Sequence, residues 1–109
     1  MATTRKVLGQ AAPAAATNTD LYTVPAATSV VCSTLVVANR SASTATWRVA
    51  VRVNGAAATD KQWLYYNVVL PGADTFMATI GLTLSAGDVV TVWASNANLS
   101  VQLFGEETS

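Results

Sequence analysis

The segment Thr46–Val53, with the sequence TWRVAVRV, constrains the fold of this chain more than any other. Its tryptophan and three valines alternate with two arginines and one alanine. Successive side chains of a β-strand point to opposite faces, so strict alternation predicts a half-buried strand. The apolar side of this strand is expected in the core, and Arg48 and Arg52 are expected to share its outer face.

The rest of the chain has the same β character. Turn signals such as Asn54-Gly55 and Pro71-Gly72 separate segments that are rich in β-branched or alternating apolar residues. No segment shows a helical period over ten residues. The predicted strands are 21–24, 30–39, 45–53, 62–70, 75–84, 89–95 and 99–104, with a possible eighth strand at 6–10.

Strands of this number and spacing predict an all-β fold, and we favour an antiparallel β-sandwich of jelly-roll or immunoglobulin-like topology. The sequence does not distinguish between these two topologies. The immunoglobulin disulfide is excluded because Cys32 is the only cysteine, and it is expected to pack in the core. Residues 30–39 are apolar enough to predict a central strand covered on both faces.

Residues 1–18 are predicted to form an extended N-terminal arm, and residues 19–109 the β-sandwich domain. The run AAPAAATNT offers no side chain large enough for a core, and Pro13 interrupts any short helix. We expect the arm to lie on a neighbouring subunit or to form a tail. Arg5 and Lys6 place two positive charges in it, and both are candidate interface residues.

The chain is poor in charge. Only 11% of its residues are charged and 51% are hydrophobic, whereas ordinary globular domains carry about 25% charged residues. Part of the surface is therefore predicted to be buried in an oligomer or a larger assembly. The alternative is that Ala, Thr, Ser and Asn solvate the surface well enough.

The charges are also unevenly distributed along the chain. Residues 1–54 contain five basic residues and one acidic residue, and residues 55–109 contain one basic residue and five acidic ones. This split would favour head-to-tail or lattice contacts, although chance explains it as well.

Catalytic, metal and cofactor sites are not expected in this sequence. It contains no histidine and one cysteine, its aspartates are isolated in turn-like contexts, and it has no glycine-rich phosphate loop. We therefore predict a protein that is not an enzyme. A net charge of zero without a basic run argues against nucleic acid, and no apolar stretch approaches 18 residues, so no membrane span is expected. The N-terminus lacks the apolar block of a signal peptide, which predicts synthesis in a cytoplasm.

The aromatic residues Trp63, Tyr65 and Trp93 lie out of phase with the expected core positions. They are predicted to pack in the core, to lie in a subunit interface, or to form an exposed platform that stacks on sugar rings. Arg48 and Arg52 would suit interface ion pairs, or they form a solvated outer face.

The chain resembles small β-sandwich structural proteins of tailed bacteriophages, which include capsid decoration (cement) proteins and modules of tail or fibre components. The similarity spans roughly residues 7–106. It lies in the order of the segments LYTVP, VVCSTLVVANRS, TWRVAVRVNG, KQWLYYNVVLPGADTF, LTLSAGDVVTVWAS and LSVQLFGEE. It implies a virion protein without catalytic residues, made in the host cytoplasm.

Three functions agree with the sequence. The resemblance implies that a cement protein would sit on the capsid exterior at local threefold axes, commonly as a homotrimer, and bridge major capsid protein subunits. The second possibility is a tail, baseplate or fibre component, with other virion proteins as partners. The third, from the aromatic residues rather than the resemblance, is a carbohydrate-binding module that uses Trp63, Tyr65 and Trp93.

Overall fold

The computed structural model describes residues 2–109, which form eight β-strands and two short 3-10 turns. Within this range no helix is long and apolar enough to cross a membrane. The strands are β1 (Thr3–Ala11), β2 (Thr19–Thr23), β3 (Ser29–Asn39), β4 (Ala45–Arg52), β5 (Trp63–Leu70), β6 (Thr75–Leu84), β7 (Val89–Ala94) and β8 (Leu99–Thr108). The 3-10 turns, Val53–Gly55 and Asp60–Gln62, both lie between β4 and β5.

The strands form two four-stranded sheets. The first sheet has the order β1-β8-β3-β6 and the second has the order β2-β7-β4-β5. All neighbouring strands are antiparallel, and the prediction of an antiparallel β-sandwich is confirmed. The first strand pairs with the last, the second with the seventh, the third with the sixth and the fourth with the fifth. This pairing is that of an eight-stranded jelly roll and not of an immunoglobulin domain.

The core lies between the two sheets, and Trp47 is its largest fully buried side chain. The Trp47 ring on β4 lies 4.9 Å from Phe76 of the first sheet and 5.0 Å from Tyr65 of its own sheet, measured between ring centroids. Tyr65 and Phe76 are in turn 5.6 Å apart, edge to face. This aromatic trio therefore joins the two layers, and such tilted contacts stabilise beyond their buried area.

Two sequence expectations about individual strands are wrong. β4 ends at Arg52, and Val53 begins a 3-10 turn in which its side chain is 67% exposed, because the chain leaves the sheet there. β3 is central, between β8 and β6, but only one of its faces is in the core. Leu35 is fully buried on that face, whereas Val31 is 48% exposed on the other, since no further layer covers the first sheet.

Residues 3–11, within the predicted arm, are extended and form the edge strand β1. They pair with β8 from Thr3 opposite Thr108 to Ala11 opposite Val101. Leu8 points into the core, and the next residue, Gly9, passes so close to β2 that an added Cβ would lie 2.2 Å from the Leu21 carbonyl oxygen. Only glycine fits this close approach between the two sheets.

The carboxylates of Asp88 and Glu107 form contacts between different strands and turns of the sandwich. Asp88 is buried between two turns, where it accepts hydrogen bonds from the backbone N–H of Ser85 at 3.0 Å and of Asn54 at 2.8 Å. These donors lower the pKa of Asp88. Glu107 on β8 accepts a hydrogen bond from the Tyr22 hydroxyl on β2 and lies 3.1 Å from Lys6 Nζ on β1, and both contacts lower its pKa.

We predict that the free energy of unfolding falls when the pH drops below about 4. A carboxylate with a lowered folded pKa contributes stability above its unfolded pKa, and this contribution is lost as the pH falls through the folded value. Urea unfolding followed by tryptophan fluorescence from pH 7 to pH 3 measures the change. The double variant D88N/E107Q is expected to be less stable at pH 7 and to depend less on pH. An unaltered pH dependence in this variant would contradict the assignment.

Candidate functional site

The charges of β1 are paired within the chain. Arg5 Nε lies 3.2 Å from Glu106 Oε2, and Lys6 Nζ lies 3.1 Å from Glu107 Oε1, both across the β1–β8 pair. These pairs join the basic first half of the chain to its acidic second half. The expected split into a positive and a negative pole is therefore largely neutralised inside one molecule, because β1 and β8 are neighbours in the jelly roll.

Arg52 is held in a polar network on the outer face of the second sheet. Its Nη2 lies 2.9 Å from Asp20 Oδ1, its Nε donates to Thr91 Oγ1, and its Nη1 donates to the carbonyl oxygens of Gly55 and Ala56. The guanidinium thus links β4, β2, β7 and the first 3-10 turn. Its donors are used in contacts within the chain and stabilise the fold.

Arg48, four residues before Arg52 and on the same outer face of β4, has aromatic neighbours instead. Its guanidinium carbon lies 3.9 Å from the ring centroid of Trp93, 4.2 Å from that of Tyr66 and 5.6 Å from that of Trp63. Its Nε donates to Asn67 Oδ1 at 2.7 Å. Within residues 2–109, neither Nη atom of Arg48 has a hydrogen-bond partner, and no carboxylate forms an ion pair with it. We call Arg48, Trp63, Tyr66 and Trp93 the arginine–aromatic cluster.

The cluster brings together three of the predicted interface residues, Arg48, Trp63 and Trp93, but not Tyr65. Tyr65 turns inward onto Trp47, and its neighbour Tyr66 takes the outer position. The pairing of β5 with β4 shifts register on both sides of Val49, and Asn67 has a φ of 55°, in the left-handed region. These irregularities break the two-residue alternation that placed Tyr65 with Trp63.

Asn67 is the residue from which the sequence could have predicted an irregularity in β5. Asparagine adopts positive φ more readily than other non-glycine residues. An asparagine in the middle of an otherwise apolar strand therefore marks a possible bulge. Without such a bulge, simple alternation assigns Tyr66 to the core and misses its contact with Arg48.

The surface around the cluster is apolar and almost free of charge. Tyr66 is 55% exposed and Val69, on the same outer face at the edge strand β5, is 62% exposed. Asp74, in the turn that follows β5, is the only charged residue between positions 62 and 87. A sheet edge without charge lacks the usual protection against contact with other chains, so this part of the surface is suited to association.

Two features bear on metal binding and on cysteine chemistry in the described part of the chain. Among residues 2–109, no group of three or more His, Cys, Asp or Glu side chains is placed to hold a metal ion. The thiol of Cys32 is fully buried in β3, and burial raises its pKa to about 11. A protonated, inaccessible thiol is a core residue rather than a nucleophile.

Comparison with known proteins gives only distant similarity. No protein-family model matches the chain, and no curated protein matches it. Two crystal structures of a pentameric capsid protein isolated from metagenomic phage sequences are similar to 98% of this chain. The first has 20% sequence identity and a TM-score of 0.30, and the second has 18% and 0.29. This chain spans about three fifths of their length, 61% and 62% respectively.

The arrangement of the cluster suits recognition of another protein. Trp, Tyr and Arg are the residues most enriched among those that dominate binding energy at protein interfaces. Stacking on Trp93 and Tyr66, together with the bond to Asn67, holds the guanidinium in one orientation before any partner arrives. A pre-ordered side chain loses little entropy on binding, so the two unpartnered Nη atoms form a ready donor site.

Proposed function

We propose that this chain is a structural protein of a bacteriophage virion that works by binding other proteins. The observation that carries the proposal is the arginine–aromatic cluster, which lies on an open sheet face beside the exposed Tyr66 and Val69. A chain with so little charge gains by burying such a face against protein. The sequence resemblance to small phage β-sandwich proteins supports the virion setting. The jelly roll is compatible with it, although that fold serves other functions too.

Within the virion, we favour a capsid decoration (cement) protein that bridges subunits of the major capsid protein on the shell exterior. The resemblance supports this position and a trimeric state, and a tail, baseplate or fibre position is the alternative. Residues 12–18 would supply a second contact, because they follow β1 along the side of the sandwich and all except Pro13 are exposed. Many weak contacts repeated over a lattice give high avidity.

A carbohydrate-binding module is less well supported by the same residues. Sugar rings stack on open aromatic faces, but here the Arg48 guanidinium lies against Trp93 and Tyr66. Tyr65, the third member of the predicted platform, is packed on Trp47. The remaining aromatic surface suits an apolar protein contact better than a sugar.

The test uses particles of the phage that encodes this chain, produced with its gene deleted. Purified wild-type chain is added back, and binding is measured by co-sedimentation, copy number and cryo-electron microscopy. V69K introduces a charge beside the cluster and is expected to weaken particle binding about tenfold or more. V31K is the matched control, since Val31 is an equally apolar, 48% exposed residue on the outer face of the other sheet.

Each outcome has a distinct meaning. Hundreds of copies over the icosahedral shell support the cement position, whereas a few copies at one vertex or on the tail support the alternative and overturn the cement assignment. Binding that V31K abolishes and V69K leaves intact would contradict the choice of surface. A wild-type chain that fails to bind particles, but binds a glycan in a screen, would overturn the virion role.

A further inference from the structure

Six of the twelve charged side chains form no ion pair within residues 2–109, and two of these, Arg48 and Asp74, lie near exposed apolar side chains. Arg5, Lys6 and Arg52 form ion pairs with Glu106, Glu107 and Asp20. Asp88 is buried among backbone donors, and Asp60 and Lys61 are adjacent in one 3-10 turn. Arg40 donates to the Ala97 carbonyl oxygen. Arg48 and Asp74 differ from these because of their apolar neighbours: Arg48 lies against the exposed Tyr66, and Asp74 lies in the turn between the strands that carry the exposed Val69 and Met77.

Asp74 lies at the turn between β5 and β6, next to the exposed Ala73 and close in sequence to Val69 and Met77. Met77 is 67% exposed and Val69 is 62% exposed. One carboxylate oxygen, Oδ1, accepts the N–H of Thr75 at 2.8 Å. Within residues 2–109, the other oxygen has no hydrogen-bond donor, and no basic side chain forms an ion pair with Asp74.

We infer that the arginine–aromatic cluster binds a second copy of this chain, with Arg48 of one copy paired to Asp74 of the other. The inference rests on the proposed structural role, which requires an assembled protein. Burying either charge against an apolar surface alone is costly, whereas the two together offset that cost. The free Nη atoms of Arg48 and the free Oδ2 of Asp74 are complementary donors and acceptor.

The surrounding residues favour self-association over another occupant. β5, β6 and the turn between them contain no charge besides Asp74, so Arg48 of one copy meets no other cation when it faces this edge of the second copy. The chain thus carries both halves of the contact, an isolated cation among aromatic rings and an isolated anion beside apolar side chains. Either a twofold dimer or a closed ring satisfies the pairing.

The test is sedimentation-velocity and equilibrium ultracentrifugation of the full chain from about 1 to 500 µM, without particles. The wild-type chain is expected to associate, and R48E or D74R alone is expected to weaken association about tenfold or more. The charge-swapped variant R48E/D74R is expected to recover most of the affinity. R5E is the matched charge reversal on β1, at the edge of the first sheet opposite β6, and is expected to associate like wild type. Circular dichroism checks folding, and R48Q is measured in place of R48E if the latter unfolds.

A wild-type chain that stays monomeric throughout this range would overturn the inference. So would a charge swap that fails to restore association, or a D60R variant that alone reproduces the effect of D74R. These results are separable from the proposed function: a monomer that still decorates particles refutes only the self-contact, and an oligomer that binds no particle refutes only the virion role.

Discussion

Replacement of Trp47 by alanine is expected to lower the free energy of unfolding by about 3–5 kcal/mol. The Trp47 side chain is 1% exposed and contacts Tyr65 in its own sheet and Phe76 in the opposite one. Its loss leaves a cavity between the layers that this rigid sandwich refills only in part. A domain of this size has a total stability of about 5–15 kcal/mol, so W47A is expected to lose a fifth of its stability or more.

The companion variant W47F separates packing from polarity. In residues 2–109, the indole Nε1 of Trp47 is the buried side-chain donor without a hydrogen-bond partner. Phenylalanine keeps an aromatic ring against Phe76 and removes this unpaired donor, so the expected cost is below about 2 kcal/mol. Urea unfolding followed by circular dichroism measures both variants, with W63F at the outer cluster as the surface control. Equal losses for W47A and W47F would mean that ring packing is not the cause.

Replacement of Asn39 by aspartate is the second change with a large expected effect, about 3–5 kcal/mol at pH 7. Asn39 is 4% exposed at the end of β3. Its Nδ2 lies 2.8 Å from the carbonyl oxygen of Ser43 and 3.2 Å from those of Leu70 and Pro71. Its Oδ1 accepts from the N–H and hydroxyl of Ser41. An aspartate would turn a carboxylate oxygen toward three carbonyl oxygens and bury a charge without a counterion.

The pH dependence of N39D shows whether its lower stability comes from a buried charge. Burial among carbonyl oxygens raises the pKa of an aspartate at position 39 above its unfolded value. The free energy of unfolding of N39D is therefore closest to that of wild type in acid. The difference between the two grows as the pH rises through the folded pKa of the aspartate. N39A, which only removes hydrogen bonds, is expected to cost less at pH 7 and to show a pH-independent difference from wild type. Parallel pH profiles for N39D and N39A would contradict this account of Asn39.

Sequence reasoning was accurate where side-chain alternation continues without interruption. Segments 75–84 and 45–53 were predicted as strands and correspond to β6 and to β4, which ends one residue earlier. The alternation of β4 also located Trp47 in the core and Arg48 outside it. In β4 the apolar Trp47 and Val49 are buried and the charged Arg48 lies outside, so local pattern and tertiary packing give the same answer there.

The candidate site was only partly predictable because its residues come from three strands and one of them is irregular. Arg48, Trp63 and Trp93 were singled out individually, but their association depends on the order β7-β4-β5. Tyr66 replaces Tyr65 because β5 shifts register against β4 on both sides of Val49, once between Trp63 and Tyr65 and once between Tyr65 and Val68. The ion pairs of Arg5 and Lys6 depend on the pairing of β1 with β8. Strand order is a long-range property that short-range periodicity does not encode.

The position of β8 has a consequence for the order of events during synthesis. β8 lies between β1 and β3 in the first sheet, yet it follows every other strand along the chain. At about 5–20 residues per second, the ribosome needs several seconds to make the segment that separates β3 from β8. Throughout that interval, the backbone edge of β3 that pairs with β8 has no hydrogen-bond partner. Nascent chains of this protein are therefore expected to need shielding from one another until translation passes residue 108, and crowded polysomes would be the place where misassembly begins.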